Sequence, residues 1–223
     1  MKSKIILFIF ILIFIFIPPV VAETDNLVEK ENISLKSDFI EVDINIPVLK
    51  DTGNQLFVEK INSLFRNELT DFAHHLYQEA ENQYEELEED DMSFFPHWAK
   101  SHLNIYSKGN YLSIVIIYDQ YTGGAHGLHW YNNYNIDIER NKIVELTDLL
   151  EKENYRKIIL ENINEQLETK EGYFVSQVNN FNQDNFYITE EGIIIYYPLY
   201  EIAPYAEGIS EFLIPWEEFD LMN

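Results

Sequence analysis

The hydrophobic pattern changes period abruptly between residues 39 and 76, and this change constrains the fold more than any other feature of the chain. Ile40, Val42, Ile44, Ile46 and Val48 alternate with Glu41, Asp43, Asn45 and Pro47. Successive side chains of a strand point to opposite faces, so the run reads as a half-buried strand, with its Pro47 end suited to a sheet edge. From Asn54 onward, Val58, Ile61, Phe65, Leu69, Phe72 and Leu76 recur at intervals of three and four. That spacing draws one apolar stripe along a helix of more than about five turns. So long a stripe requires a sheet for the helix to lie on.

The strands for that sheet follow in series, roughly Ser101 to Tyr106, Tyr111 to Tyr121 and Leu128 to Ile138, with a Gly109-Asn110 turn between the first two. In the third, Leu128, Trp130, Tyr134, Ile136 and Ile138 share a face. Arg140 to Lys142 turn the chain, and Ile143 to Leu150 leads into a second amphipathic helix at about Asn154 to Glu168, carrying Ile159, Ile163 and Leu167. Asn154 suits its N-cap. A shorter helix is expected near Gly172 to Asn180. Asn185 to Thr189 and Ile193 to Tyr197 flank Glu190-Glu191-Gly192 as a hairpin, and Glu211 to Trp216 forms a last strand. There is no internal repeat and no regular βαβ alternation. The expected fold is therefore α+β: a mainly antiparallel sheet with long helices packed on it, as one domain or two intimately packed subdomains.

The first 22 residues are of another kind. Lys2 and Lys4 precede an unbroken apolar run from Ile5 to Ile17, then Pro18-Pro19 and Val20-Val21-Ala22 before the first acid, Glu23. These are the regions of an export signal or, uncleaved, a short membrane anchor. Residues 23–37 are polar and aperiodic and read as an exposed tether, which places the working domain outside the cell or on its surface. The chain has no cysteine, hence no disulfide framework and no thiolate metal site. Without the signal, 13 basic side chains face 39 acidic ones, a net charge of −26. Nucleic acid, which is bound by neutralising phosphates, is excluded as a partner, whereas cationic partners are attracted. Eight of the thirteen residues from Glu79 to Asp91 are acidic; such a self-repelling run reads as a solvated helix end.

Two segments carry the candidate binding residues. In Tyr121-Thr122-Gly123-Gly124-Ala125-His126-Gly127-Leu128-His129, three glycines in five residues permit left-handed backbone and close approach of a ligand or another chain segment. In Tyr196-Tyr197-Pro198-Leu199-Tyr200-Glu201-Ile202-Ala203-Pro204-Tyr205-Ala206-Glu207-Gly208, prolines stiffen a connection whose tyrosines offer broad contact surface with a polar tip. The candidate ligand-binding set is Tyr121, Gly123, Gly124, His126, His129, Tyr200, Glu201 and Tyr205. Equally, the two loops read as a structural signature packed on itself. No catalytic motif, metal site or cofactor-binding motif is evident. His126 and His129 are three apart, which on a strand sends them to opposite faces, and the adjacent His74 and His75 diverge on a helix. An enzymatic alternative, a cell-wall polymer hydrolase or esterase, would pair His126 with a carboxylate such as Asp119 or Glu201.

Tyr121 to Gly127, Leu146-Thr147-Asp148-Leu149-Leu150, Asn185-Phe186-Tyr187-Ile188 and Tyr200 to Ile209 occur in the order seen in RsiV-like ectodomains. Residues 36–217 thus resemble the extracytoplasmic domains of RsiV-type anti-sigma factors, which also precede the catalytic domain of PdaC-type polysaccharide deacetylases. Only Met1 to Lys4 precede the apolar run and the sequence runs to Asn223, so neither a sigma-factor-holding segment nor a deacetylase domain is expected. The resemblance implies an N-terminal half at residues 38–110 and a C-terminal half at 111–223, together a non-catalytic binding domain at the cell envelope. Its ligand would be associated with the cell wall, either a wall glycan or a cationic protein such as lysozyme.

Overall fold

The computed structural model describes residues 27–50, 52–87, 94–150 and 154–220. Residues 1–22, read as an export signal or anchor, and residues 88–91 of the acidic run lie outside them. The alternating segment forms strand β2 (Ile40–Leu49), whose Ile40, Val42, Ile44 and Ile46 are buried. Helix α1 (Gln55–Glu85) follows, capped where Asn54 Oδ1 accepts the Phe57 N–H at 3.1 Å. Its buried stripe is Ile61, Phe65, Leu69, Ala73, Leu76 and Ala80, and the acidic residues at its C-terminal end are largely exposed. The series of strands is also present: β3 (His97–Lys108), β4 (Tyr111–Tyr121), β5 (Leu128–Asp137) and the two-residue β6 (Lys142–Ile143). Gly109, at φ 57°, makes the β3–β4 turn.

One strand was not expected. Residues 28–36 of the segment read as a tether form β1 (Val28–Lys36), antiparallel to β2 from Val28 opposite Leu49 to Lys36 opposite Glu41. An edge strand gains its backbone hydrogen bonds without needing an apolar face. Polar pairs support it: Asn32 Nδ2 donates to Asp43 Oδ1 at 2.8 Å, Lys36 meets Glu41 at 3.1 Å, and Arg66 of α1 pairs with Glu31. β2 is consequently interior. β3 runs parallel to it only from Ile40–His97 to Asp43–Lys100, so around Pro47 it pairs with β1 alone. The six strands lie in sequence order, and the β2–β3 pair, linked through α1, is the parallel one among antiparallel neighbours.

Short α2 (Leu146–Leu149) and then α3 (Tyr155–Leu167) lead to a second, three-stranded antiparallel sheet of β7 (Phe186–Ile188), β8 (Gly192–Tyr197) and β9 (Ser210–Pro215). A five-residue helix, α4 (Trp216–Asp220), ends the described chain. The helix expected near 172–180 is irregular chain instead. Asn164 of α3 clamps it, accepting the Val178 N–H at 2.7 Å and donating to Val178 O at 3.0 Å, and Phe174 N–H donates to Ile202 O at 2.9 Å. These cross-segment bonds occupy backbone groups that a helix would have used.

The elements stack as four layers, α1, six-stranded sheet, three-stranded sheet and α3. Leu112, Ile114, Ile116 and Tyr118 of β4 join the α1 core, while Val115 packs on Tyr187 and Tyr196 of the second sheet. Ile193, Ile195 and Tyr197 turn the other way, onto Ile159 and Ile163 of α3. At the seam Ser113 Oγ donates to Asn135 Oδ1 at 2.6 Å and accepts the Ile188 N–H at 2.9 Å, and Asn135 Nδ2 donates to Phe186 O at 2.9 Å. Residues 110 and 111, where the two expected halves meet, lie at the turn of the β3–β4 hairpin, within the six-stranded sheet. The molecule is organised by layer, because the tight turn keeps β3 and β4 side by side.

Candidate functional site

The β4–β5 connection shows why three glycines stand there. Gly123 and Gly124 adopt φ of 98° and 97°, the left-handed region that a side chain disfavours, and neither is crowded. Gly127 has a different reason: a Cβ on it would lie 2.6 Å from Gln120 O, so only glycine lets the two strands close. Tyr121 folds over the loop, its hydroxyl donating to Gly124 O at 3.0 Å.

The second loop leaves β8 at Pro198. Glu201 N–H donates to Pro198 O at 3.2 Å, Tyr200 sits at φ 66°, and Ile202 and Ala203 are buried as anchors. Left-handed backbone on an aromatic residue is a strained conformation that the surroundings must impose. Pro204 then opens a 3₁₀ turn, Tyr205–Glu207, and Gly208 at φ 72° releases the chain into β9.

The fold brings these loops into direct contact. The Tyr205 ring stacks on His126 with centroids 3.9 Å apart and planes at 22°, and its hydroxyl donates to Gly127 O at 3.0 Å. Gly127 O also lies 2.8 Å from His126 Nδ1. A carbonyl can only accept, so Nδ1 carries the proton, and in the neutral ring Nε2 accepts the Tyr200 hydroxyl at 3.2 Å. His129 meets the Tyr205 ring edge-on at 5.9 Å, and Tyr200 lies 5.8 Å from it. The opposite-face expectation for His126 and His129 does not hold, because His126 precedes β5 and is free of strand geometry. His74 and His75 are exposed on α1.

Four of the eight candidate residues, His126, His129, Tyr200 and Tyr205, therefore form one cluster, while Tyr121 and Gly124 bond to each other within the β4–β5 loop that also holds Gly123. Glu201 stands beside the cluster: its carboxyl is partly withdrawn from water although the residue is exposed, which raises its pKa, and its charge acts on Tyr197. The carboxylate proposed as a partner of His126 is elsewhere. Asp119 is opposite His129 in register and accepts Trp98 Nε1–H at 3.3 Å. Both ring nitrogens of His126 are engaged by Gly127 O and Tyr200 instead.

One contributor went unread in the sequence. Trp98 stacks on Tyr121 at 4.4 Å and 16°, and lies against the place a Gly127 side chain would fill. Counting outward from the Gly109-Asn110 turn pairs Lys108 with Tyr111 and hence Trp98 with Tyr121, so hairpin register was the available signal. The cluster is a surface feature rather than a cavity. A groove of about 360 Å³ lies at the opposite end of β4, by the β3–β4 turn. Among the described residues no group of three His, Asp or Glu side chains could hold a metal, and no helix is long and apolar enough to cross a membrane.

Residues 33–129 match the family described as Deacetylase PdaC, and residues 147–217 match Protein of unknown function (DUF3298). The fold is similar to the crystal structure of a DUF3298 family member from Bacteroides fragilis, with a TM-score of 0.67 at 19% identity, covering 86% of this chain and 92% of that one. It is also similar to a DUF3298 family protein from Pseudomonas aeruginosa, with a TM-score of 0.52 at 15% identity, covering 88% and 94%. No curated protein matches at a significant level.

Proposed function

We propose that this chain, two stretches of which match the PdaC and DUF3298 family models, is an exported, non-catalytic binding domain for a cell-wall-associated ligand, most sharply a lysozyme-like cationic protein. The observation that carries this reading is the cluster of His126, Tyr200 and Tyr205. It is assembled from the two segments that resemble the RsiV-like ectodomains and leaves His126 and Tyr200 exposed. Rigid aromatic rings with polar tips give large contact area at small entropic cost, which suits them as anchors. The charge of −24 on the whole chain accelerates encounter with a cationic partner and disfavours acidic ones. Export follows from residues 1–22, whose apolar run no soluble core requires.

Titration calorimetry of the purified protein with lysozyme, at low and at physiological salt and against an unrelated basic protein, tests the reading. Selective binding that survives added salt is expected. Binding that disappears with salt, or that the control equals, would reduce the attraction to unspecific charge.

A further inference from the structure

The groove opposite the signature loops is lined by the β3–β4 turn, the end of β5 and the start of α4. The eleven residues of β4 separate it from the loops by about 35 Å. Its aromatic members are fixed in place. The Trp216 indole donates through Nε1 to Thr189 O at 3.2 Å, and Tyr111 packs against the second core. Neither ring is free to fill the groove.

Its polar members are arranged to exchange hydrogen bonds. Asp137, with a side chain only 6% exposed, accepts the Arg140 N–H on Oδ1 at 2.9 Å. Its Oδ2 faces the Arg140 guanidinium at 3.7 Å, beyond hydrogen-bond length, and so retains accepting capacity. Asn110 donates to Glu139 at 2.6 Å, and Lys108 completes the rim. Two cations thus balance two carboxylates, and the groove is locally neutral within a strongly acidic chain.

Neutrality removes the advantage of a charged ligand, while aromatic walls with carboxylate, amide and guanidinium groups suit one with both apolar C–H faces and hydroxyls. We infer that this groove is a saccharide-binding site, of a size for about one or two pyranose rings. Ring C–H faces lie against Trp216 or Tyr111, and hydroxyls bond to Asp137, Asn110 and Arg140. The inference is independent of the binding assigned to the signature loops.

Calorimetry and tryptophan fluorescence with N-acetylchitotetraose and with maltotetraose test it on the purified protein. Saturable binding of at least one sugar is expected, weakened at least about tenfold by Trp216→Ala and by Arg140→Ala and unchanged by Tyr205→Ala. Arg140, whose side chain is 68% exposed, can be replaced without endangering the fold, so the test stands even where Trp216→Ala does not fold. The inference is overturned by no saturation with either sugar up to about 10 mM or by full binding in Arg140→Ala. Loss of binding in Tyr205→Ala would overturn it by placing the sugar at the loops. Saturation by inorganic phosphate in place of sugar would overturn it by making the groove an anion site.

Discussion

Two tyrosine-rich polar clusters sit on opposite faces of the same sheet, and comparing them shows how burial decides what a residue type does. Beneath α1, Glu68 accepts hydrogen bonds from Tyr118 at 2.7 Å, from Tyr134 and from Asn132, while Phe72 packs edge-on against Tyr118 and Trp130. Burial raises the pKa of both tyrosines, so they remain neutral donors. That cluster is covered and its hydrogen bonds are satisfied within the protein. The cluster of His126, Tyr200 and Tyr205 uses the same chemistry but keeps its outer edges in water. One holds a helix on a sheet; the other is the surface proposed to meet a ligand.

The largest expected effect would break the inner cluster. Glu68→Ala leaves the two tyrosine hydroxyls without their acceptor and should cost about 3 kcal/mol of stability in urea unfolding, with ligand affinity unchanged in the folded fraction. An affinity loss equal to that of a loop variant would erase the distinction between the clusters.

Tyr205→Ala addresses the outer cluster. If Tyr205 is a partly buried anchor, lysozyme binding should weaken by about 1–3 kcal/mol in calorimetry, with about 1 kcal/mol lost from stability for the hydrogen bond to Gly127 O. A lower melting temperature with undiminished binding would instead make the loops a structural signature.

Tyr200 separates strain from contact. Asparagine tolerates left-handed backbone better than most residues, so Tyr200→Asn should change stability by less than about 0.5 kcal/mol while lowering affinity by about 1 kcal/mol. A large loss of stability would show that the ring is held by packing.

The smallest effect is a slope. His97, at the start of β3, is 2% exposed, stacks on Phe94 at 5.6 Å, and has no hydrogen-bond partner at Nδ1. Desolvation lowers its pKa from the usual 6.5, opposed in part by the charge of Glu79. The unfolded chain therefore binds the extra proton first, and stability falls as pH drops below about 6.5 toward the folded value. Urea unfolding at pH 7.5 and 5.5 should show this loss, and His97→Phe should reduce it. An identical slope in the variant would assign it to the carboxylates, although Glu31, Glu41 and Asp148, held low by Arg66, Lys100 with Lys36, and Lys142, act below their usual range near 4.

Much of this could be read in advance because it is periodic. The α1 stripe, the alternation of β2, the β3–β4–β5 series and the β7–β8 hairpin each repeat a local preference several times, and repetition makes the reading strong. β1 escaped because an edge strand needs no apolar alternation. The expected helix at 172–180 failed because Asn164, distant in sequence, captures the backbone of Val178. The signature loops could be picked out by their glycines, prolines and tyrosines, but not their mutual contact.

The sequence by itself determined the α+β class, the main helices and strands, the absence of disulfides, the acidity and the two unusual loops, all consequences of local composition and spacing. Only the tertiary structure decided that Tyr205 lies on His126 and that Glu201 stands beside the cluster they form. It alone decided that Trp216 and Asp137 share a groove. Each of these depends on register and layer packing between segments up to about 80 residues apart, and such contacts are selected by the whole buried interface, which no short stretch of sequence contains.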